Sequence, residues 1–190
     1  MNIKIIQKSD TKVSGWSGGI TREWLIWPPI AEYTQRNFQC RISTAQVDLP
    51  ESVFTPLPDV HRFIAPLNGE LTLIHNGHIH LHLQPLQVHE FPGEWQTLSR
   101  GQAEDLNLML KGIQGAMTYM TSPEGISLDL GQSFQLEAWY FLKEATVSMN
   151  NQVFQVNEGE MIIIHSLQDK EIAMAKVVCD RWFRMQANIF

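Results

Sequence analysis

At 190 residues the chain can hold one large domain or two small ones, and 44% hydrophobic against 18% charged residues suffices for a sizeable core. The formal net charge is −6, from 20 acidic and 14 basic residues. No Lys/Arg cluster stands out, which argues against nucleic acid and anionic membrane as partners. The longest apolar run, Met161–Ile164, suits a buried strand and falls far short of a membrane span.

The chain reads as β almost throughout. Short runs of Ile, Val, Leu, Phe and Thr alternate with turn clusters, as in sandwiches and barrels. Expected strands are Asn2–Gln7, Thr21–Trp27, Phe38–Gln46, His61–Pro66, Gly69–His75, Ile79–Gln84, Leu106–Leu110 and Ala116–Met120. Further along come Phe134–Leu142, Thr146–Met149, Gln152–Val156, Met161–His165, Ile172–Val178 and Trp182–Ala187. Asn76-Gly77 between two alternating runs predicts a type I′ hairpin, because both residues tolerate positive φ. Asn150-Asn151 predicts a second. No window shows a clean helical period, and Ser99–Asp105 is expected to hold a turn of helix at most. The first segment turns polar at Gln7-Lys8 and lacks the apolar stretch of a signal peptide. Cys40 and Cys179 fit no zinc or redox spacing. We therefore expect reduced thiols in a cytoplasmic protein.

A weak internal repeat runs through these elements. Leu71–His75, Asn76-Gly77 and His78–Leu83 lead to Phe91-Pro-Gly-Glu94. Thr146–Met149, Asn150-Asn151 and Gln152–Val156 lead to Asn157-Glu-Gly-Glu160. Two units of one β-barrel type, fused in one compact chain over 1–190, account for it. We place the first over 1–120 and the second over 121–190, the latter open to sharing strands with the N-terminal segment.

The informative pattern is polar. Strand side chains alternate between faces. In Asp105–Leu110, Leu106, Leu108 and Leu110 share one face, and Asp105, Asn107 and Met109 share the other. Such a polar face either meets water or lines a cavity, and we favour the cavity. Trp16-x-Gly18-Gly19-x-Thr21-Arg22-Glu23, then Phe38-x-x-Arg41-Ile42-Ser43-x-Ala45, Phe54 and His61-Arg62 precede Gly101-x-x-x-Asp105-x-Asn107-x-Met109. These segments in this order resemble the HutD/Ves family. The likeness is clear over about residues 3–120; beyond that it rests on β character and length. It implies an all-β bicupin, two cupin-like barrel units in one chain. It also implies an association with histidine utilisation or stress response, but no defined reaction. Ser17 stands where the family more often has Asn, which removes a carboxamide but keeps a hydrogen-bonding side chain.

The chemistry of these residues points to a small ligand. Arg22, Arg41 and Arg62 lie in or beside strands, and a lone buried charge costs several kcal/mol. Each either pairs internally, with Glu23 and Asp105 as partners, or keeps a planar fork free for a ligand carboxylate. Ser43 shares the face of Arg41, roughly 7 Å along the strand. Asn107 both donates and accepts, and Trp16 offers a cavity wall. We expect Trp16, Thr21, Arg22, Glu23, Arg41, Ser43, His61, Arg62, Asp105, Asn107 and Met109 to bind a small polar or carboxylated molecule, with Arg62 and Arg22 favoured for the free fork.

His78, His80 and His82 share one strand face, and an H-x-H pair with a carboxylate such as Glu90 is the donor set of a metal cupin. Against that, Ile79, Leu81 and Leu83 make the better core face and turn the imidazoles outward. His165 reads as a strand-end residue. No nucleophile elbow or phosphate loop is present. We therefore expect no cofactor and a binding protein with a regulatory or sensing role. The alternatives are a metal-dependent cupin enzyme through His78 and His80, and a structural protein. A homodimer is compatible with the sequence.

Overall fold

The computed structural model describes residues 2–130, 134–165 and 174–189. Two compact units form, one of Met1–Thr11 with Gln114–Phe190 and the other of Lys12–Ile113. The first begins with β1 (Asn2–Ile6). The second holds β2 (Lys12–Trp16), β3 (Gly19–Trp27), β4 (Cys40–Val47), β5 (Glu51–Val53), β6 (Val60–Pro66), β7 (Leu71–His75), β8 (Ile79–Leu83), β9 (His89–Pro92), β10 (Thr97–Arg100) and β11 (Glu104–Lys111). The chain then completes the first unit with β12 (Gly115–Asp129), β13 (Leu136–Phe141), β14 (Ala145–Met149), β15 (Gln152–Val156), β16 (Met161–His165) and β17 (Met174–Ala187). Short 3₁₀ turns at Lys8–Asp10 and Tyr33–Gln35 complete the regular structure among the described residues. The fold is all-β, as expected. No helix among the described residues is long and apolar enough to cross a membrane.

In the 12–113 unit a six-stranded antiparallel sheet runs β2-β3-β4-β11-β6-β9, and a four-stranded sheet runs β5-β10-β7-β8. Ile64, Leu71, Leu73, Leu83, Phe91 and Ala103 form one core cluster, with Phe54 and Trp95 packed against it. The register of the larger sheet places Asp105 opposite Ala45 and Pro66, Asn107 opposite Ser43 and Ile64, and Met109 opposite Arg41 and Arg62. One face thus carries the polar row across three strands. The other face carries Cys40, Ile42, Phe63, Leu106, Leu108 and Leu110, all buried.

In the other unit β1-β16-β13-β17-β14-β15 form a sheet, with β12 added along β17. Trp139, Phe141, Val147, Ile162, Val177 and Trp182 anchor its core. The hairpin turns are as predicted: φ is +51° at Asn76 and +75° at Gly77, and +50° at Asn150 and +59° at Asn151.

Several expectations are corrected. The runs expected over Ile172–Val178 and Trp182–Ala187 are one strand, β17, continuing through Cys179–Arg181 against the long β12; residues 172 and 173 lie outside the described residues. The β12–β17 ribbon absorbs its irregularity between Met120 and Ile126, where the register shifts twice around Pro123. Ser99–Asp105 holds no helix. It joins the end of β10 to the start of β11 through a bend at Gly101, whose φ is +120°. Strands β2, β5, β9 and β10 are additions to the sequence reading: β5, β9 and β10 span only three or four residues, and β2 is exposed throughout, which gives no apolar alternation to read.

Candidate ligand-binding site

Two glycines shape the entrance strand. Trp16 folds its ring back over Gly18, so any Cβ at Gly18 would collide with it. Gly19, at φ +151°, passes so close to the Gln46 carbonyl of β4 that a side chain would overlap that oxygen. The Trp16-x-Gly-Gly segment therefore brings β3 tightly onto β4, with β2 paired along β3, and Trp16 lines the cavity.

That face lines a cavity of about 370 Å³. Of the residues expected to bind, Trp16, Thr21, Arg41, Ser43, Arg62, Asp105, Asn107 and Met109 are brought together there. Glu23 stands just behind the lining, its Oε2 accepting from Arg41 Nε at 2.7 Å. Arg22 and His61 are not among the lining residues. Arg22 is in register with Thr44 and His61 with Leu110, both on the opposite face, which is where strict alternation sends the neighbours of Thr21 and Arg62. The His61 Nε2 instead meets Glu90 Oε1 at 2.6 Å at the surface.

The arginines differ in their partners. Arg41 holds Glu23 through Nε, gives Nη1 to Ser43 Oγ at 3.0 Å, and lies 4.2 Å over the Tyr33 ring. Arg62 is 5% exposed. Its Nη2 donates to Asn107 Oδ1 at 3.1 Å, and its guanidinium stacks over Phe54 and Phe91. Its Nε finds no hydrogen-bond partner, and a buried unmet donor is costly. Burial lowers Arg62 to about 10; Tyr33 and Asp105 oppose that drop and Arg41 adds to it.

Asn107 links the charges. Its carbonyl accepts from Arg62, and its amide nitrogen donates to Asp105 Oδ1. Burial pushes the Asp105 carboxyl up to about 7, although Arg62 and the Asn107 amide pull it down. Beyond Arg62, His75 Nε2 meets His89 Nε2 at 3.0 Å, and His75 Nδ1 meets Thr97 Oγ1 at 2.8 Å. Burial first, then His89 and Arg62, lower His75 to about 4. Cys40 lies on the face opposite the cavity, and burial raises its thiol to about 12.

The cavity also has walls the sequence did not mark. Ser14 and Gly15 come from β2, Tyr33 and Thr34 from a 3₁₀ turn, and Val53, Phe54 and Thr55 from β5 and the loop after it. Only Phe54 carried a signal, as part of the family pattern. Strand parity within β2 places Ser14 with Trp16, while nothing in the sequence brings Tyr33 to Arg41.

The chain's residues 8–179 match the family model HutD. The chain belongs to the HutD family. No curated protein matches it by sequence. Its fold is similar to that of a conserved protein of unknown function from Pseudomonas aeruginosa, with TM-score 0.87, 15% identity and all of both chains covered. It is also similar to HutD from Pseudomonas fluorescens, solved in a formate condition, with TM-score 0.80, 17% identity and 98% of both chains covered. A wider likeness joins it to oxalate decarboxylase from Bacillus subtilis, with TM-score 0.67 and 9% identity over 97% of this chain and 77% of that one. These likenesses establish a cupin-like β fold.

Cupin folds invite a test for metal. A divalent cation of this class takes imidazole and carboxylate ligands. The HutD-family cavity offers two guanidinium groups, six hydroxyls, an amide and one carboxyl, with no imidazole on its wall. That set does not fit. The alternative H-x-H donors are dispersed: His78, His80 and His82 are exposed, His78 Nδ1 meets the Asn76 carbonyl at 2.8 Å, and His82 pairs with Glu70 at 3.1 Å. Glu90 is occupied by His61.

Proposed function

We propose that this chain is a small-molecule binding protein whose ligand presents a carboxylate to Arg62. The observation that carries this reading is Arg62, a guanidinium on the wall of a cavity of about 370 Å³ that reaches its nearest carboxylate, Asp105, only through Asn107 and keeps its Nε without a partner. A guanidinium offers a carboxylate two parallel donors, and the Asn107 and Ser43 side chains supply further polar contacts. The volume lies in the range of ordinary small-ligand pockets.

By family resemblance the ligand relates to histidine breakdown, as a carboxylated intermediate, and the role is regulatory or sensing. We also propose kinship with Ves proteins, fusion of two cupin-like units, a cytoplasmic location and a homodimer. A binding role is preferred to a metal-dependent cupin reaction because the cavity's donors are cationic.

Thermal-shift titration tests the reading. Formate is the first probe, because the P. fluorescens HutD was solved in a formate condition; larger carboxylates related to histidine breakdown follow. Saturating carboxylate should raise the melting temperature of the wild type and leave Arg62→Ala unmoved. At 100 times Kd the gain is about 2.7 kcal/mol. A flat response across the panel contradicts the proposal.

A further inference from the structure

We infer that the cavity takes its carboxylate as a monoanion together with one proton, which Asp105 accepts when the ligand replaces it as the counterion of Arg62. This rests on the carboxylate reading above and names the ligand's charge class and its coupling to pH. The charges that line the cavity dictate it. Arg41 is matched by Glu23 at 2.7 Å. That leaves Arg62 and Asp105 as the remaining opposite pair on the cavity wall, joined through the two ends of the Asn107 amide. Asp105 is 2% exposed and Arg62 is 5% exposed, so water screens neither effectively.

An incoming carboxylate on the Arg62 fork satisfies that cation. Two buried carboxylates would then share one guanidinium, which strongly raises the proton affinity of one of them. The ligand's carboxylate keeps the guanidinium, and Asp105 keeps only the neutral Asn107 amide. One O–H bond forms on Asp105 with a proton from solvent, and no other bond changes. A dianion gains nothing further, because the second arginine is already held by Glu23 and Ser43.

The surrounding ionisable groups are accounted for. On β11 Glu104 adds negative charge beside Asp105, which also favours the proton. From β4 and β3 come the matched Arg41 and Glu23, and from β2 the exposed Lys12, in register with Glu23. From the 3₁₀ turn comes Tyr33, and from β6 Arg62 itself. From β7 comes His75, which burial, His89 and Arg62 lower to about 4, and from β9 His89, which burial lowers against the pull of Glu90. In the unliganded protein Asp105 titrates at about 7, so proton uptake is read above that value.

Two measurements on the full chain test the inference. First, isothermal titration with formate, acetate and benzoate, and with malonate and succinate as dianions, is run at pH 8 in buffers of different ionisation enthalpy. We expect monoanions to bind with uptake of close to one proton and to weaken by up to about tenfold per pH unit above the Asp105 midpoint. Asp105→Asn should bind without uptake or pH dependence. Second, carboxyl ¹³C NMR follows Asp105 without any ligand, and Arg62→Gln should raise its midpoint. Monoanion binding with no proton uptake overturns the inference while leaving the carboxylate reading intact. So does an unmoved Asp105 midpoint in Arg62→Gln, or tighter binding of the dianions. If no carboxylate binds at all, the functional reading fails and takes this inference with it. Should Arg62→Gln fail to fold, the wild type against Asp105→Asn decides.

Discussion

Each of the two units sets an arginine near a buried carboxylate, and the two arrangements end differently. In the unit built from β12–β17, Glu137 accepts from Arg184 Nε at 2.8 Å and Trp139 Nε1 at 2.9 Å through one oxygen. Its other oxygen accepts from Arg184 Nη2 and from Gln186 Nε2 at 2.8 Å. Every carboxylate oxygen there is served twice. In the 12–113 unit Arg62 reaches its carboxylate only through Asn107 and keeps a buried Nε without a partner. A buried ion pair is therefore no sign of a site by itself; one whose hydrogen bonds are left incomplete is. The saturated cluster reads as structure and the unsaturated one as a receptor.

This contrast can be broken by mutation. The largest effect should come from the saturated side. Arg184→Leu leaves the buried Glu137 carboxylate without its cation and should cost about 3–5 kcal/mol in urea unfolding; a loss below 1 kcal/mol would erase the distinction. Next in size, Gly19→Ala forces a side chain against the Gln46 carbonyl. Overpacking of that kind costs about 1–3 kcal/mol, and carboxylate binding should weaken with it as β2 shifts.

The pH profile comes next. The Asp105 carboxyl moves from 3.8 up to about 7 on folding. The folded state thus binds more protons, and stability falls as pH climbs between those values, by about 1.4 kcal/mol per unit at most. His75 runs the other way, from 6.5 down to about 4, so its contribution is present above 6.5 and lost as pH falls through 4. In the wild type the two slopes oppose each other. Asp105→Asn should stabilise the protein above pH 7 and leave a fold that weakens in acid. His75→Gln should leave one that weakens as pH rises from 4 to 7. Thermal unfolding from pH 4 to 8 checks both, and parallel profiles for the two variants would contradict the assignment.

The smallest expected effect is the most diagnostic. Arg62→Gln at pH 6, where Asp105 carries its proton, should change ligand-free stability by less than about 1 kcal/mol, because no charge is left uncompensated, yet abolish carboxylate binding. A loss as large as that of Arg184→Leu would make Arg62 a structural residue.

The polar face was legible because alternation is strict. Asp105, Asn107 and Met109 read as one row, and Arg41 with Ser43 as another, and β4, β6 and β11 bring those rows into register. The same rule applied one residue further would have removed Arg22 and His61 from the site, since neighbours of Thr21 and Arg62 must face away. What remained hidden depends on pairing between distant segments. β5 is three residues long and Tyr33 sits in a single 3₁₀ turn, so neither carries a period that could place it at the cavity wall. The His75–His89 contact was invisible for the same reason: it joins β7 and β9 of different sheets, and no local pattern encodes it.

A crystal structure of the protein soaked with a small carboxylate such as formate or benzoate tests the carboxylate site most directly. The carboxylate should lie inside the cavity, one oxygen within hydrogen-bond distance of the Arg62 guanidinium and the Asn107 side chain close by. A cavity without carboxylate at a soak that raises the melting temperature, with the anion bound instead to surface lysines, would contradict it.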